Sequence, residues 1–391
     1  MEVKIIDMDH KGNGLGKIDG KIVFVPKSIP GDIVNVTLVK QSKKYDVGRI
    51  DSFIIKSTDR IKEKCPYYME CGGCNILNLN YEKQLMFKVN KVKNIFKKYL
   101  NIEISPRVIG SKKVEEYRNK ITFHNAYELG LIGEYLDIVP VDYCSLVSDK
   151  VNELYRMIKK EDTSKVKKIT IREVDNGLIL SIDGELNTDR LRNKCIEIYI
   201  NNECVYSKER GYICLNELKF MISNAAFFQI NTTNITNLYN EILRYGEFSK
   251  DMKVIDLYCG VGSISLYIAK YVKEVLGIEI VPEAIEDAKE NAKINDIQNA
   301  KFICSDVYKL DIEELNGDVL IVDPPRIGLD KHVAEMINNS KITKVIYVSC
   351  DPMTLARDLA ILNNYEIKES SVVDMFPGTH HCESIAILKR R

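Results

Sequence analysis

Three short stretches near the C-terminal end hold residue types that do covalent chemistry. Val322-Asp-Pro-Pro-Arg-Ile-Gly-Leu329 and Ile346-Tyr-Val-Ser-Cys-Asp-Pro352 each close an apolar run, and Phe376-Pro-Gly-Thr-His-His-Cys-Glu-Ser384 opens one. Asp323 and Cys350 therefore fall at strand ends, the edge at which a doubly wound sheet holds its ligands. A cysteine there is a candidate nucleophile, and the helix start expected after it favours its thiolate. Glu383 is the candidate general base. Asp323 is read as orienting substrate or cofactor, with Pro324-Pro325 fixing the turn. His380 and His381, being adjacent, are expected to make local hydrogen bonds rather than to share a metal.

Upstream, Val254-Ile-Asp-Leu-Tyr-Cys-Gly-Val-Gly-Ser-Ile-Ser-Leu266 reads as a strand ending in Asp256, a glycine turn and a helix. The glycines allow the backbone close to a ligand. The next strand, Val275-Leu-Gly-Ile-Glu279, ends in an acid that can accept hydrogen bonds from both ribose hydroxyls. A third strand at 301–304 is followed by Ser305 and Asp306, a second acid that could meet an adenine amino group. This succession suits S-adenosylmethionine better than a nicotinamide, which usually brings Gly-x-Gly-x-x-Gly. With a methyl sulfonium as donor, the cysteine and glutamate acquire a task. Uracil C5 is a poor nucleophile. A thiolate adding to C6 makes the ring an enolate, C5 attacks the methyl group, and a base then removes the C5 proton so that the thiolate can leave.

These residues need a frame to hold them. From about residue 223, strand candidates at 254–256, 274–280, 301–304, 319–322, 344–348 and 384–388 alternate with helical patterns, which predicts an open, mostly parallel doubly wound sheet. The layout expected is multidomain: a small β-barrel over residues 1–56, a central α+β domain over 57–222, and a Rossmann-like α/β catalytic domain over 223–391. The barrel rests on Lys21-Ile-Val-Phe-Val25, the turn Pro30-Gly31-Asp32 and the alternating Ile33–Val39 run. Residues 81–100 predict a basic amphipathic helix with Leu85, Val89, Val92, Ile95, Phe96 and Tyr99 on one face. Asp175-Asn-Gly177 and Asp183-Gly184 read as hairpin turns.

Composition excludes a disordered chain, with 45% hydrophobic and 29% charged residues among 391. No apolar run has the length of a membrane span, and Asp7 and Asp9 interrupt the N-terminus where a signal peptide would be apolar; a cytoplasmic monomer is expected. Net charge is zero, yet residues 1–100 carry 19 Lys+Arg against 11 Asp+Glu, a balance of +8 that the remainder offsets with 37 against 45. A basic N-terminal part on an acidic body fits an RNA-gripping module. Among 11 cysteines, Cys65-x5-Cys71-x2-Cys74 form a cluster. Zinc and an iron–sulfur cluster both accept thiolates, and the spacing does not decide between them.

Asp323-Pro-Pro-Arg326, Ser349-Cys-Asp-Pro352 and His381-Cys-Glu383, together with Phe227-Phe-Gln-Ile-Asn231, resemble the signature set of the RNA uridine-5-methyltransferases. That family makes 5-methyluridine in ribosomal and transfer RNA. Residues 1–55 resemble a TRAM domain, an OB-like RNA-binding barrel. The resemblance spans nearly the whole chain. It implies S-adenosyl-L-methionine contacts from Gln229, Tyr258, Glu279, Asp323 and Asp306, with Cys350 as nucleophile and Glu383 as base. It also implies a [4Fe-4S] cluster on Cys65, Cys71, Cys74 and Cys144, and 23S rRNA as substrate with transfer RNA as the alternative. Gly378 and Cys382 depart from the family pattern, where a polar residue and a valine are common. A radical S-adenosylmethionine enzyme bearing a TRAM domain would need Cys-x3-Cys-x2-Cys, and the first gap here holds five residues. An amine methyltransferase would place an aromatic where Arg326 stands. A non-catalytic RNA chaperone would not need Asp323, Cys350 and Glu383 together.

Overall fold

The computed structural model describes residues 1–224, 226–310 and 316–391. Their strands form three sheets and a short hairpin. The first sheet runs in the order Glu2–Lys4, Ile33–Gln41, Tyr45–Ile55, Lys21–Val25, Gly14–Ile18, Asp7–Met8. Its two end strands follow one another in the chain, and Ile6 donates its N–H to the Leu15 carbonyl at 2.9 Å. The sheet thus closes on itself around Val3, Ile5, Val23, Val25, Val34 and Val36, which leaves few open edges.

The second sheet has seven strands between Lys120 and Ser207. Val166–Val174 and Gly177–Gly184 form the expected hairpin across Asp175-Asn176. Asp183-Gly184 does not make a second one: Gly177–Gly184 pairs in parallel with Glu197–Ile200, so the chain crosses over instead of turning back. Gly184 serves a different purpose. Its φ is +125°, and a Cβ there would meet the Lys165 carbonyl oxygen at 2.2 Å. Only glycine permits so close a backbone approach.

The third sheet carries the site. Its strands run Ala300–Cys304, Glu274–Glu279, Lys253–Leu257, Val319–Val322, Lys344–Ser349, Glu383–Arg390, Tyr365–Val373, Arg107–Ile109. The first five are parallel, and Glu383–Arg390 runs antiparallel to its neighbours on both sides. The sheet is therefore mostly parallel, as expected, with Glu383–Arg390 as its one reversed strand among the described residues. Alternate residues face opposite cores: Val319 and Ile321 pack on one side, Leu320 and Val322 on the other. Burial on both faces is why these strands read as unbroken apolar runs.

The helices are α1 (Tyr81–Leu100), α2 (Asp149–Ile158), α3 (Thr232–Gly246), α4 (Ser263–Ala269), α5 (Pro282–Ile294), α6 (Lys331–Asn339) and α7 (Pro352–Ile361). α1 starts at Asn80, whose side chain accepts the Lys83 N–H, and stops at Asn101 in the left-handed region. It buries Val92 and Phe96 in the same core as Leu355 and Leu359 of α7. Two elements placed by sequence in the central region, α1 and the strand Arg107–Ile109, thus pack on the third sheet. Among the described residues, no helix is long and apolar enough to cross a membrane.

Candidate active site

A cavity of about 540 Å³ opens at the C-terminal edge of the parallel strands. Gln229, Tyr258, Glu279, Asp323, Cys350 and Glu383 all line it. Each arrives from a strand end or the segment beside α3. Asp306 is not among the lining residues: its carboxylate caps a short 3-10 turn, accepting the Tyr308 N–H at 3.0 Å.

Strand direction explains the pairing of Cys350 with Glu383. Cys350 follows its strand, whereas Glu383 begins one. Both can reach the same edge only if the second strand runs antiparallel, which it does. Ser349 pairs with Ser384, so the next step in register sets Cys350 across from Glu383. Such directly opposed residues have Cβ atoms about 5 Å apart.

The electrostatics follow from burial. Glu383 is 2% exposed, and desolvation, with the charge of Asp323 added and Arg326 opposing, holds its carboxyl well above the usual range. Burial and then Asp256 raise Asp323 as well. Like charges so close share protons as a pair. Cys350 differs from expectation. Burial pushes its thiol up to about 12, and Glu383 and Asp323 add to that. The α7 N-terminus is already capped by Asp351, which accepts the Met353 N–H at 2.9 Å, so a second anion gains little there.

On the opposite side of the cavity the backbone is bent for a ligand. Tyr258 has φ +63°, Gly260 +53° and Gly262 +77°. A Cβ on Gly262 would meet the Phe302 ring at 2.8 Å. The Glu279 carboxylate is aimed by three backbone N–H groups, from Gly260 at 3.2 Å, Ile280 at 2.9 Å and Val281 at 3.0 Å. Asp256 accepts the Ser265 hydroxyl at 2.5 Å, while its other oxygen is buried without a partner. Two further side chains complete the site, Tyr239, which lies in no motif, and Phe227, which opens the Phe227–Asn231 stretch. Tyr239 bonds Ser263 at 2.7 Å behind the glycine turn, and the Phe227 ring, 70% exposed, stands among the lining residues. The first depends on a helix-to-helix contact that no local pattern encodes.

The two histidines take the local roles expected. His380 Nδ1 lies 2.7 Å from Asn75 Oδ1, and His381 Nδ1 lies 3.2 Å from the Arg326 guanidinium. Burial, followed by neighbouring cations, lowers His380 to about 2 and His381 to about 4, so both rings are neutral near pH 7.

Cys65, Cys71, Cys74 and Cys144 line a second cavity, of about 530 Å³. Burial, then the charges of Cys144 and Cys71, raise Cys74 to about 12. Burial raises Cys144 to about 11. Among the described residues, no group of three or more His, Cys, Asp or Glu is disposed to hold a metal ion.

Residues 189–391 match the family described as tRNA (Uracil-5-)-methyltransferase, and residues 1–50 match the TRAM domain. An uncharacterized RNA methyltransferase of Halalkalibacterium halodurans is 32% identical across 100% of this chain and 96% of its own. One from Caldanaerobacter subterraneus is 34% identical across 100% and 98%. Among solved structures, the tRNA (uracil-54, C5)-methyltransferase of Pyrococcus abyssi, in complex with S-adenosyl-L-homocysteine, superposes with a TM-score of 0.83. It is 28% identical and covers 99% of both chains. On these matches the chain belongs to the tRNA (uracil-5-)-methyltransferase family and is an RNA (uracil-5-)-methyltransferase.

Proposed function

We propose that this enzyme methylates carbon 5 of a uridine in RNA, with Cys350 as nucleophile, Glu383 as base and S-adenosyl-L-methionine as methyl donor. The observation that carries the reading is the register that opposes Cys350 and Glu383 at the ligand-binding edge. The residues of the cavity fit the donor. Glu279, already aimed by three amides, retains lone pairs for ribose hydroxyls. Gln229, Tyr258 and Asp323 complete the wall. The bound donor supplies an electrophilic methyl group on a sulfonium.

The Cys350 thiol loses its proton to solvent, the resulting thiolate forms a bond to C6, and the C5–C6 electron pair passes into the C4 carbonyl as an enolate. The enolate returns those electrons through C5 to the methyl carbon, whose bond to sulfur breaks. The Glu383 carboxylate takes the C5 proton, the C5–C6 double bond re-forms, and the thiolate leaves. A raised carboxyl suits that last step, since its conjugate base is strong enough to remove a carbon-bound proton. Arg326, which lines the same cavity and contacts His381, is read as facing the substrate.

The RNA is read as 23S rRNA, on the resemblance to members that carry four such cysteines. Transfer RNA is the second reading, favoured by the likeness to the P. abyssi enzyme. The barrel and α1, with their basic excess, are read as gripping phosphates. The four cysteines are read as holding a [4Fe-4S] cluster. What supports the reading is that the four thiols line one cavity, of about 530 Å³. Iron and acid-labile sulfide analysis of anaerobically purified protein tests this.

Nucleoside mass spectrometry of rRNA and tRNA from cells lacking the gene, complemented with wild type or Cys350→Ala, tests the function. Loss of 5-methyluridine from one RNA class, restored by wild type alone, is expected. Unchanged 5-methyluridine in every RNA would sink the reading.

A further inference from the structure

The loop between Tyr365–Val373 and Glu383–Arg390 presents His381 and Glu383 to the active site, yet residues from far upstream hold it in place. Lys88 donates to the Phe376 carbonyl at 2.9 Å, Tyr117 to the Pro377 carbonyl at 3.0 Å, and Lys91 to the His380 carbonyl at 3.0 Å. The Gly378 carbonyl accepts two N–H groups, from Asn75 and Ile76, both at 3.1 Å. Gln84 accepts the Gly378 N–H at 2.8 Å. Every one of these partners lies between residues 75 and 117, outside the segment that matches the methyltransferase family.

Asn75 stands at the meeting point. It directly follows Cys74, which lines the cysteine cavity. A Cβ on Gly378 would lie 3.9 Å from the Cys74 sulfur. Asn75 Oδ1 accepts from His380 Nδ1 at 2.7 Å. The His380 and His381 rings lie 4.0 Å apart. His381 Nδ1 accepts from Arg326, which lines the catalytic cavity. One path thus runs from a cysteine-cavity wall through Asn75, His380, His381 and Arg326 to the reacting edge. The same contacts fix the backbone three to five residues before Glu383.

We propose that Asn75 is a positioning residue for the proton-removal step: it couples the cysteine cavity to the loop that sets Glu383 and Arg326. The inference rests on the reading of Glu383 as base. Its consequence is selective. A loosened loop misplaces the base after methyl transfer, while the thiolate and the methyl donor sit on other strands and still react. The enzyme then stalls as a covalent adduct in which RNA, already methylated, stays bonded to Cys350. A residue with a merely structural role would lower turnover without accumulating that species.

The test uses the full-length protein, S-adenosylmethionine carrying a labelled methyl group, and unmodified 23S rRNA and transfer RNA from cells lacking the gene. Asn75→Ala is expected to keep first-turnover methyl transfer within about threefold of wild type. Product release should slow at least about tenfold, with a detergent-stable, methyl-labelled protein–RNA adduct accumulating. Asn75→Asp keeps the acceptor oxygen and should restore release. Glu383→Gln sets the full adduct yield. Gly378→Ala, strained at φ +77° and 3.1 Å from Leu77, should trap the same adduct if Asn75→Ala fails to fold. Thiol titration reports whether each variant keeps its cysteine cavity closed. Adduct in Glu383→Gln but in neither loop variant overturns this inference alone. So does wild-type release by Asn75→Ala. Absence of adduct from all variants overturns the base assignment and this inference with it.

Discussion

The catalytic and cysteine cavities are nearly equal in size, about 540 and 530 Å³, but they are built by different means. The catalytic residues stand on strand ends, and sheet register sets their places: Ser349 against Ser384 fixes Cys350 against Glu383. The cysteines stand on loops that side chains hold by the backbone. Lys27 donates to the carbonyls of Cys71, at 2.9 Å, and Cys74. Asn152 accepts the Cys144 N–H at 2.9 Å and donates to its carbonyl at 3.1 Å. Register is a property of a whole sheet and tolerates local change. Loops held by side chains such as Lys27 and Asn152 do not, so single substitutions should separate the two cavities.

The largest effect is expected at the buried joint between the regions. Lys88 of α1 and Asp374 are both 0% exposed and 2.5 Å apart, and the second Asp374 oxygen has no partner. Lys88→Met removes the cation and strands a buried carboxylate, which costs about 3–5 kcal/mol. Urea denaturation of the two proteins measures it. Lys97→Met, which breaks the exposed pair with Glu103, should leave the midpoint where it is. Equal stability of Lys88→Met and wild type would mean that the base-bearing loop is held by something else.

That joint also marks where the sequence stopped being informative. The strand ends, the glycine turn and Glu279 could be read because each motif sits directly beside an apolar run of strand length. The last two strands of the third sheet could not. Tyr365–Val373 carries Glu366, Lys368 and Glu369 in a bulged first half, which masks its apolar second half. Arg107–Ile109 has three residues, two of them exposed, and no periodicity to detect. Lys88 looked like one more cation on a basic helix, since a buried lysine is visible only through its distant partner. The Cys350 thiol was misjudged because a helix start is local, whereas burial and two carboxylates from other strands are not.

A second, intermediate effect should be confined to the catalytic cavity. Burial raises both Glu383 and Asp323, with the charge of Asp323 adding at Glu383 and that of Asp256 adding at Asp323. The folded state therefore keeps protons that unfolded carboxyls release from about pH 4 upward. Since the native state binds more protons, stability should fall as pH rises from that point toward the raised values. Turnover should do the reverse. The base must be ionised and the thiol, up at about 12, must lose its proton, so the rate should climb steadily from pH 6 to pH 9. Thermal melts and initial rates across one buffer series give both slopes. Glu383→Gln should flatten much of the stability slope; an unchanged slope would mean that this carboxyl is not the one raised.

The smallest effect is the most discriminating. Cys144→Ser removes one thiol from the cysteine cavity but touches no residue of the catalytic wall. The contacts named above run through the loop before Glu383; Gln229 also borders the cysteine region, its carbonyl accepting from Asn119 at 3.1 Å and the next residue, Ile230, lining the cysteine cavity, whereas Glu279 and Tyr258 line the catalytic cavity alone. Affinity for S-adenosyl-L-homocysteine, measured by calorimetry, should therefore stay within about twofold of wild type, a change under about 0.4 kcal/mol. Product release should slow, because that step alone depends on the loop. A tenfold loss of S-adenosyl-L-homocysteine affinity would show that the cysteine cavity supports the whole catalytic sheet. The distinction between a register-built site and a side-chain-held one would then not separate the two halves of the reaction.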